Sequence, residues 1–185
     1  MYYYGKGYIK SVKSDLDKEA IGEEWDKIWD QRIMKNMSVR IKENCYKVIW
    51  RWYLMLVKPN IINKNVLSLC WRCKKEKGTY IHMWWSCELR KQEWKQIFKE
   101  IREITGLNIQ MSPSMALLNL VKKDQLLKEN KDLIVIMITA ARLIFARNWK
   151  NDNQLNLEEW YRELWDMAIN DKLTCDMKIR RGLSK

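Results

Sequence analysis

The stretch Cys70-Trp71-Arg72-Cys73-Lys74-Lys75-Glu76-Lys77-Gly78-Thr79-Tyr80-Ile81-His82-Met83-Trp84-Trp85-Ser86-Cys87 holds three of the five cysteines and the only histidine of a 185-residue chain. Its pattern is C-x2-C-x8-H-x4-C. Thiolate sulfur and imidazole nitrogen are the donors of a closed tetrahedral zinc site, and a two-residue gap lets the first pair reach one ion from a single turn. Cys70, Cys73, His82 and Cys87 are therefore the expected ligands of one structural Zn2+. With four protein ligands no coordination position is left for water, which argues against hydrolysis by this metal. Gly78 suits a tight turn between two short segments, so a knuckle with a short hairpin is expected over 69–87.

Working outward, both flanks read as helix. On the N-terminal side Leu16, Ile21, Trp25, Ile28, Trp29 and Ile33 mostly recur three or four apart, which is helical spacing. A second helix opens after Ser38, with Ile41, Cys45, Val48, Ile49, Trp52 and Leu56 on one side and Arg40, Lys47 and Arg51 on the other, and ends at Pro59-Asn60. On the C-terminal side Ser86 is placed to cap a helix with the stripe Leu89, Trp94, Ile97, Phe98, Ile101 and Ile104, stopped by Gly106. Ser112-Pro113 is an N-cap with proline at the first helical position. Further helices are expected from about Asp132 to Trp149 and over Leu157 to Ala168. Most tryptophans, Trp25, Trp29, Trp52, Trp94, Trp160 and Trp165 among them, fall on such stripes and are read as core.

The expected fold is mainly α, with a helical arm and a C-terminal helical bundle around the CCHC zinc knuckle. The division runs as a basic leader over 1–13, an arm over 14–68, the knuckle over 69–87, the bundle over 88–174 and a basic tail over 175–185. Only 2 Pro and 6 Gly in the chain agree with helix, and 47% hydrophobic residues suffice for a core. The apolar run Leu133 to Ala146 contains Arg142 and is too short to span a bilayer. No secretory signal pattern opens the chain, so an intracellular, reducing location (cytoplasm or nucleus) is expected, where cysteines stay reduced. Cys45 and Cys175 stand alone at apolar helical positions and are read as packing residues.

The formal charge is +12, and nine of those charges lie between Ser38 and Glu103, centred on the cysteines. Such a field suits a polyanion. Cations that track phosphates and flat rings that stack on unpaired bases are interleaved here. The expected nucleic-acid contacts are Arg40, Lys47, Arg51, Arg72, Lys74, Lys75, Lys77, Tyr80, Trp84, Trp85, Lys91 and Lys95, with at least one of Trp84 and Trp85 packing inward instead. Phosphate-cradling glycine loops and a nucleophile elbow are missing, and Glu158-Glu159 are adjacent in sequence, so their side chains diverge on a helix. No catalytic residue is expected. The alternative is a protein-interaction scaffold with a structural zinc, its tryptophan-rich surface docking a partner.

The runs Glu43-Asn44-Cys45-Tyr46-Lys47, Arg51-Trp52-Tyr53-Leu54, Cys70-Trp71-Arg72-Cys73 and His82-Met83-Trp84-Trp85-Ser86-Cys87 resemble the C-terminal region of the reverse transcriptase polyprotein of LINE-type non-LTR retrotransposons, vertebrate versions in particular. The resemblance continues through Trp94-Lys95-Gln96-Ile97, Ile104-Thr105-Gly106, Ile138-Thr139-Ala140-Ala141-Arg142, Trp149-Lys150 and Glu158-Glu159-Trp160, covering about residues 23 to 174. It implies a non-catalytic piece downstream of the polymerase, which carries a cysteine-rich motif and helps engage RNA, more than DNA, during target-primed reverse transcription. The polymerase part of a retroelement protein is the implied partner. A retroelement relic without selected function is the other reading that this resemblance brings.

Overall fold

The computed structural model describes residues 39–52, 69–120, 128–149 and 154–182, with the side chains of 128, 129, 171, 174, 175 and 178–182 left aside. The expected leader, the helix around Trp25 and Trp29, the Ser38 cap, the residues Leu56 to Asn60, the break at 151–153 and the side chain of Cys175 lie outside the described residues. What is described is mainly helical, as the sequence predicts. The helices are α1 (Val39–Ile49), α2 (Glu88–Thr105), α3 (Pro113–Leu118), α4 (Lys128–Arg147) and α5 (Leu157–Gly182), with a π-turn (His82–Ser86) ahead of α2.

Capping follows the chemistry of the ends. Ser112 is extended and its hydroxyl accepts from the Met115 N–H, while Gly106 closes α2 in the left-handed region at φ 67°. Two expected ends move. The α1 helix stops at Ile49, about ten residues before Pro59, because Arg51 adopts a left-handed φ of 49° that no helix continues through. Ser86 belongs to the π-turn, and Cys87 takes the N-cap position of α2 without a side-chain cap. At the other end of the chain α5 continues through the expected tail to Gly182, the first glycine or proline after Leu157.

One core joins these elements. Ile41, Cys45, Val48 and Ile49 of α1 share it with Trp94, Ile97, Phe98 and Ile101 of α2, with α3, and with the apolar run of α4. Over the described residues, α1 of the expected arm is seated against α3 and α4 of the expected bundle. No helix among the described residues is long and apolar enough to cross a membrane.

The tryptophans sort differently from their stripes. Trp94 and Trp160 are fully buried as expected, but Trp52 and Trp165 are 64% and 68% exposed. Trp52 lies beyond the early end of α1. Trp165 falls on the outward side of α5, opposite the buried row Trp160, Glu163 and Met167.

Candidate metal centre

Residues 69–77 form a tight loop. The Cys70 N–H donates to the Glu76 carbonyl at 2.7 Å and the Lys74 N–H to the Cys70 carbonyl at 2.8 Å, with Lys74 at φ 54°. The expected hairpin is reduced to a single antiparallel bridge between Leu69 and Lys77. Gly78 follows that bridge and does not make the turn. A Cβ there would lie 3.3 Å from Met83 Sδ and 3.4 Å from the Cys70 backbone, so glycine serves close approach.

The chain then turns into the helical segment that begins at Tyr80. From His82 it widens to π geometry, closed by the Cys87 N–H donating to the His82 carbonyl at 2.8 Å. The wider turn lets His82 and Cys87 both face the loop while Trp84 enters the core, its ring 4.9 Å from Trp149 and its carbonyl accepting from Trp94 Nε1 at 2.8 Å.

Ligand atoms of Cys70, Cys73, His82 and Cys87 lie within 4.8 Å of one another and can hold a metal ion. His82 Nε2 is 3.3 Å from Cys73 Sγ, and Cys70 Sγ is 3.9 Å from Cys87 Sγ. A tetrahedral ion with bonds of about 2.3 Å to sulfur and about 2.0 Å to nitrogen has edges of about 3.5–3.8 Å, which these two pairs bracket, the others reaching no farther than 4.8 Å. The sulfurs are far beyond disulfide length, and all three cysteines are free.

A second layer orients the ligands. The other ring nitrogen, His82 Nδ1, faces Glu76 Oε2 at 3.1 Å, the carboxylate-to-histidine arrangement that fixes a metal-binding tautomer. Burial disfavours the Cys73 thiolate, but the N–H groups of Lys75 and Glu76 and the His82 ring outweigh it and bring the thiol down to about 6. At Cys70 burial dominates, against the N–H groups of Cys73 and Arg72, and the thiol is pushed up to about 11. A cation among these sulfurs would favour the thiolate at both.

Beneath the loop lies a buried ionic triad. Arg72 donates to Glu93 Oε1 at 3.0 Å and to the Asn148 carbonyl at 3.2 Å, and Arg90 donates to Glu93 Oε2 at 2.6 Å and to the Met83 carbonyl at 3.4 Å. Glu93 also accepts from the Leu155 N–H at 3.0 Å. Arg90 stacks 3.8 Å over the Phe145 ring, and its burial pulls the guanidinium down to about 9. These contacts fasten the loop to α2, α4 and the start of α5.

Among the expected nucleic-acid contacts, Lys74, Lys75 and Lys77 are exposed on the loop, and Lys91 and Lys95 on the outer side of α2. Arg40 pairs with Glu163 at 2.7 Å, Lys47 with Glu43 at 2.7 Å, and Arg51 lies 5.3 Å over the Tyr80 ring. Three expectations are corrected. Trp84 is fully buried and offers no face to a base. Tyr80 is buried with its hydroxyl donating to the Val48 carbonyl at 2.7 Å, and the Arg72 side chain, 6% exposed, is spent on Glu93 and Asn148. Trp85 is half-buried, its ring 6.1 Å from Trp94. The sequence reading missed the triad partners Arg90 and Glu93 and the orienting Glu76. Glu76, between the two ligand pairs, is the one whose position could have flagged it. No protein-family model matches the chain.

Proposed function

We propose that the chain is a zinc-stabilised nucleic-acid-binding module, taking RNA before DNA, of the non-catalytic kind found in the C-terminal region of a LINE-type reverse transcriptase polyprotein. The observation that carries this reading is the cluster of three cysteines and one histidine under a loop whose outer edge presents Lys74, Lys75 and Lys77. A loop this short has no core of its own, and zinc gives it one conformation. The loop lysines, with Lys91 and Lys95, then hold phosphates. Trp52, exposed just beyond α1, takes the stacking role that buried Trp84 cannot.

The test is zinc content of the purified protein by elemental analysis, followed by titration with a single-stranded RNA at several salt concentrations. One ion per chain and a steep log-log salt slope are expected. Replacing Lys74, Lys75 and Lys77 by Gln should flatten the slope by about 2, at roughly 0.7 per phosphate on a single strand. Salt-independent or absent RNA binding sinks the reading.

A second reading, the protein-interaction scaffold, draws on the exposed row Trp165, Ile169, Leu173 and Met177 along α5. A partner docked there would bind with little salt dependence, and the same titration separates the two.

A further inference from the structure

Two cations and one anion lie buried side by side beneath the cysteine cluster. The Arg90 side chain is 1% exposed, and those of Arg72 and Glu93 are 6% and 7%. The triad therefore carries one surplus positive charge away from water. No other carboxylate among the described residues pairs with either guanidinium. Burying an uncompensated charge costs several kcal/mol in a protein interior, so such a surplus calls for a neighbouring anion.

The neighbour is the candidate metal centre itself. Arg72 stands between Cys70 and Cys73 in the chain, and Arg90 reaches the Met83 carbonyl inside the turn that carries His82 and Cys87. Three thiolates and a neutral imidazole around a divalent ion leave that centre with one net negative charge. The two surpluses cancel.

Resting on the zinc reading above, we infer that Arg90, fixed by Glu93 and the Phe145 ring, is the buried counter-charge of the metal centre, so that ion binding and the charge balance of the helical core are one equilibrium. Arg90 is a positioning residue, and touches no ligand atom. With a divalent ion in place, three thiolates balance the triad, whereas two thiolates would leave its surplus uncovered.

The 185-residue chain would be titrated with zinc against a chromogenic chelator, as wild type, Arg90→Met, Arg90→Lys and Glu93→Gln, with urea unfolding of each apoprotein in parallel. Arg90→Met should weaken zinc binding 10- to 100-fold, the usual effect of losing an outer-layer partner, and Arg90→Lys should hold it within about threefold. Glu93→Gln adds to the positive surplus, so its zinc affinity should stay at or above wild type while its apoprotein unfolds at lower urea. The metal-free Arg90→Met protein should unfold at no lower urea than the metal-free wild type, because the uncompensated charge is gone. Equal zinc affinities for Arg90→Met and wild type overturn the inference, as do parallel losses of affinity in Arg90→Met and Glu93→Gln, the pattern of damaged packing. If Arg90→Met does not fold, a Glu93→Gln affinity below wild type overturns it alone. A wild type that binds no zinc removes the metal reading itself, a separate failure.

Discussion

Two arginines are buried to the same degree in this protein and are treated in opposite ways. Arg90 sits among charges, sharing Glu93 with Arg72 beneath the cysteines. Arg142, fully buried in the seam between α1, α3 and α4, has no carboxylate partner among the described residues. It donates to the Leu117 carbonyl at 3.0 Å, the Thr139 hydroxyl at 2.7 Å and Cys45 Sγ at 3.4 Å. The Leu117 carbonyl is one of the unpaired acceptors in the last turn of α3, where the helix end is partly negative. One guanidinium is held by formal charge and the other by dipoles and a polarisable sulfur. The first region should answer to metal and the second should not.

The sharpest way to break this contrast is to remove the proposed zinc ion. With Cys70→Ser and Cys73→Ser together, or with excess chelator, metal content should fall from one ion per chain to none. Amide exchange should then accelerate by orders of magnitude over residues 70–87, since structural zinc contributes about 10–16 kcal/mol to such sites. Amides of 139–142 should keep their protection. Loss of protection in both regions would merge them into one cooperative unit.

Next in size is Arg142→Ala, which leaves a cavity and strands the Leu117 carbonyl and Thr139 hydroxyl. We expect about 3 kcal/mol of destabilisation in urea unfolding, equal with and without zinc. Arg142→Met, which refills the volume, should recover about half of it. A smaller effect belongs to Glu76→Gln, which removes the carboxylate from His82 Nδ1. Zinc affinity should drop by about tenfold while the apoprotein unfolds as before, measured by chelator competition.

The smallest effect lies at Tyr161, whose hydroxyl donates to Glu100 and links α5 to α2. That hydrogen bond, with Glu100 charge and partial burial, pushes the phenol up to about 12. A raised folded value favours the protonated phenol. Its contribution is therefore present below pH 10 and lost as pH rises from 10 to 12. Because Tyr161 is 43% exposed, Tyr161→Phe should cost less than about 1 kcal/mol near neutral pH, and the difference between the two proteins should vanish above pH 12.

How legible each region was follows from how local its determinants are. Cys70, Cys73, His82 and Cys87 announce themselves because ligand spacing is a property of eighteen consecutive residues. The α2 helix was equally plain, from its stripe and Gly106. The triad was hidden, since Arg72, Glu93, Asn148 and Leu155 meet only through tertiary packing. Periodicity also misassigned the tryptophans. Trp165 shares a helical repeat with the core yet faces outward, and Trp84, in a basic aromatic stretch that suggests a surface, is turned inward by a π-turn that no period-3.6 pattern contains. The early end of α1 was concealed as well, because Arg51 turns left-handed with its guanidinium over the ring of Tyr80, twenty-nine residues away.

The π-turn makes the distance from His82 to Cys87 a gauge as much as a motif. Its five residues complete one widened revolution, so one ligand leaves and the next returns on the same side while Trp84 points the other way. Letters within it can change, as the half-buried Trp85 and exposed Ser86 allow. Its length sets the exit into α2: deleting one residue would restore ordinary helical pitch, which still keeps a pair four apart on one face, but it would shift the start of α2, which follows Cys87 directly, against the core that Trp94 and Trp84 share.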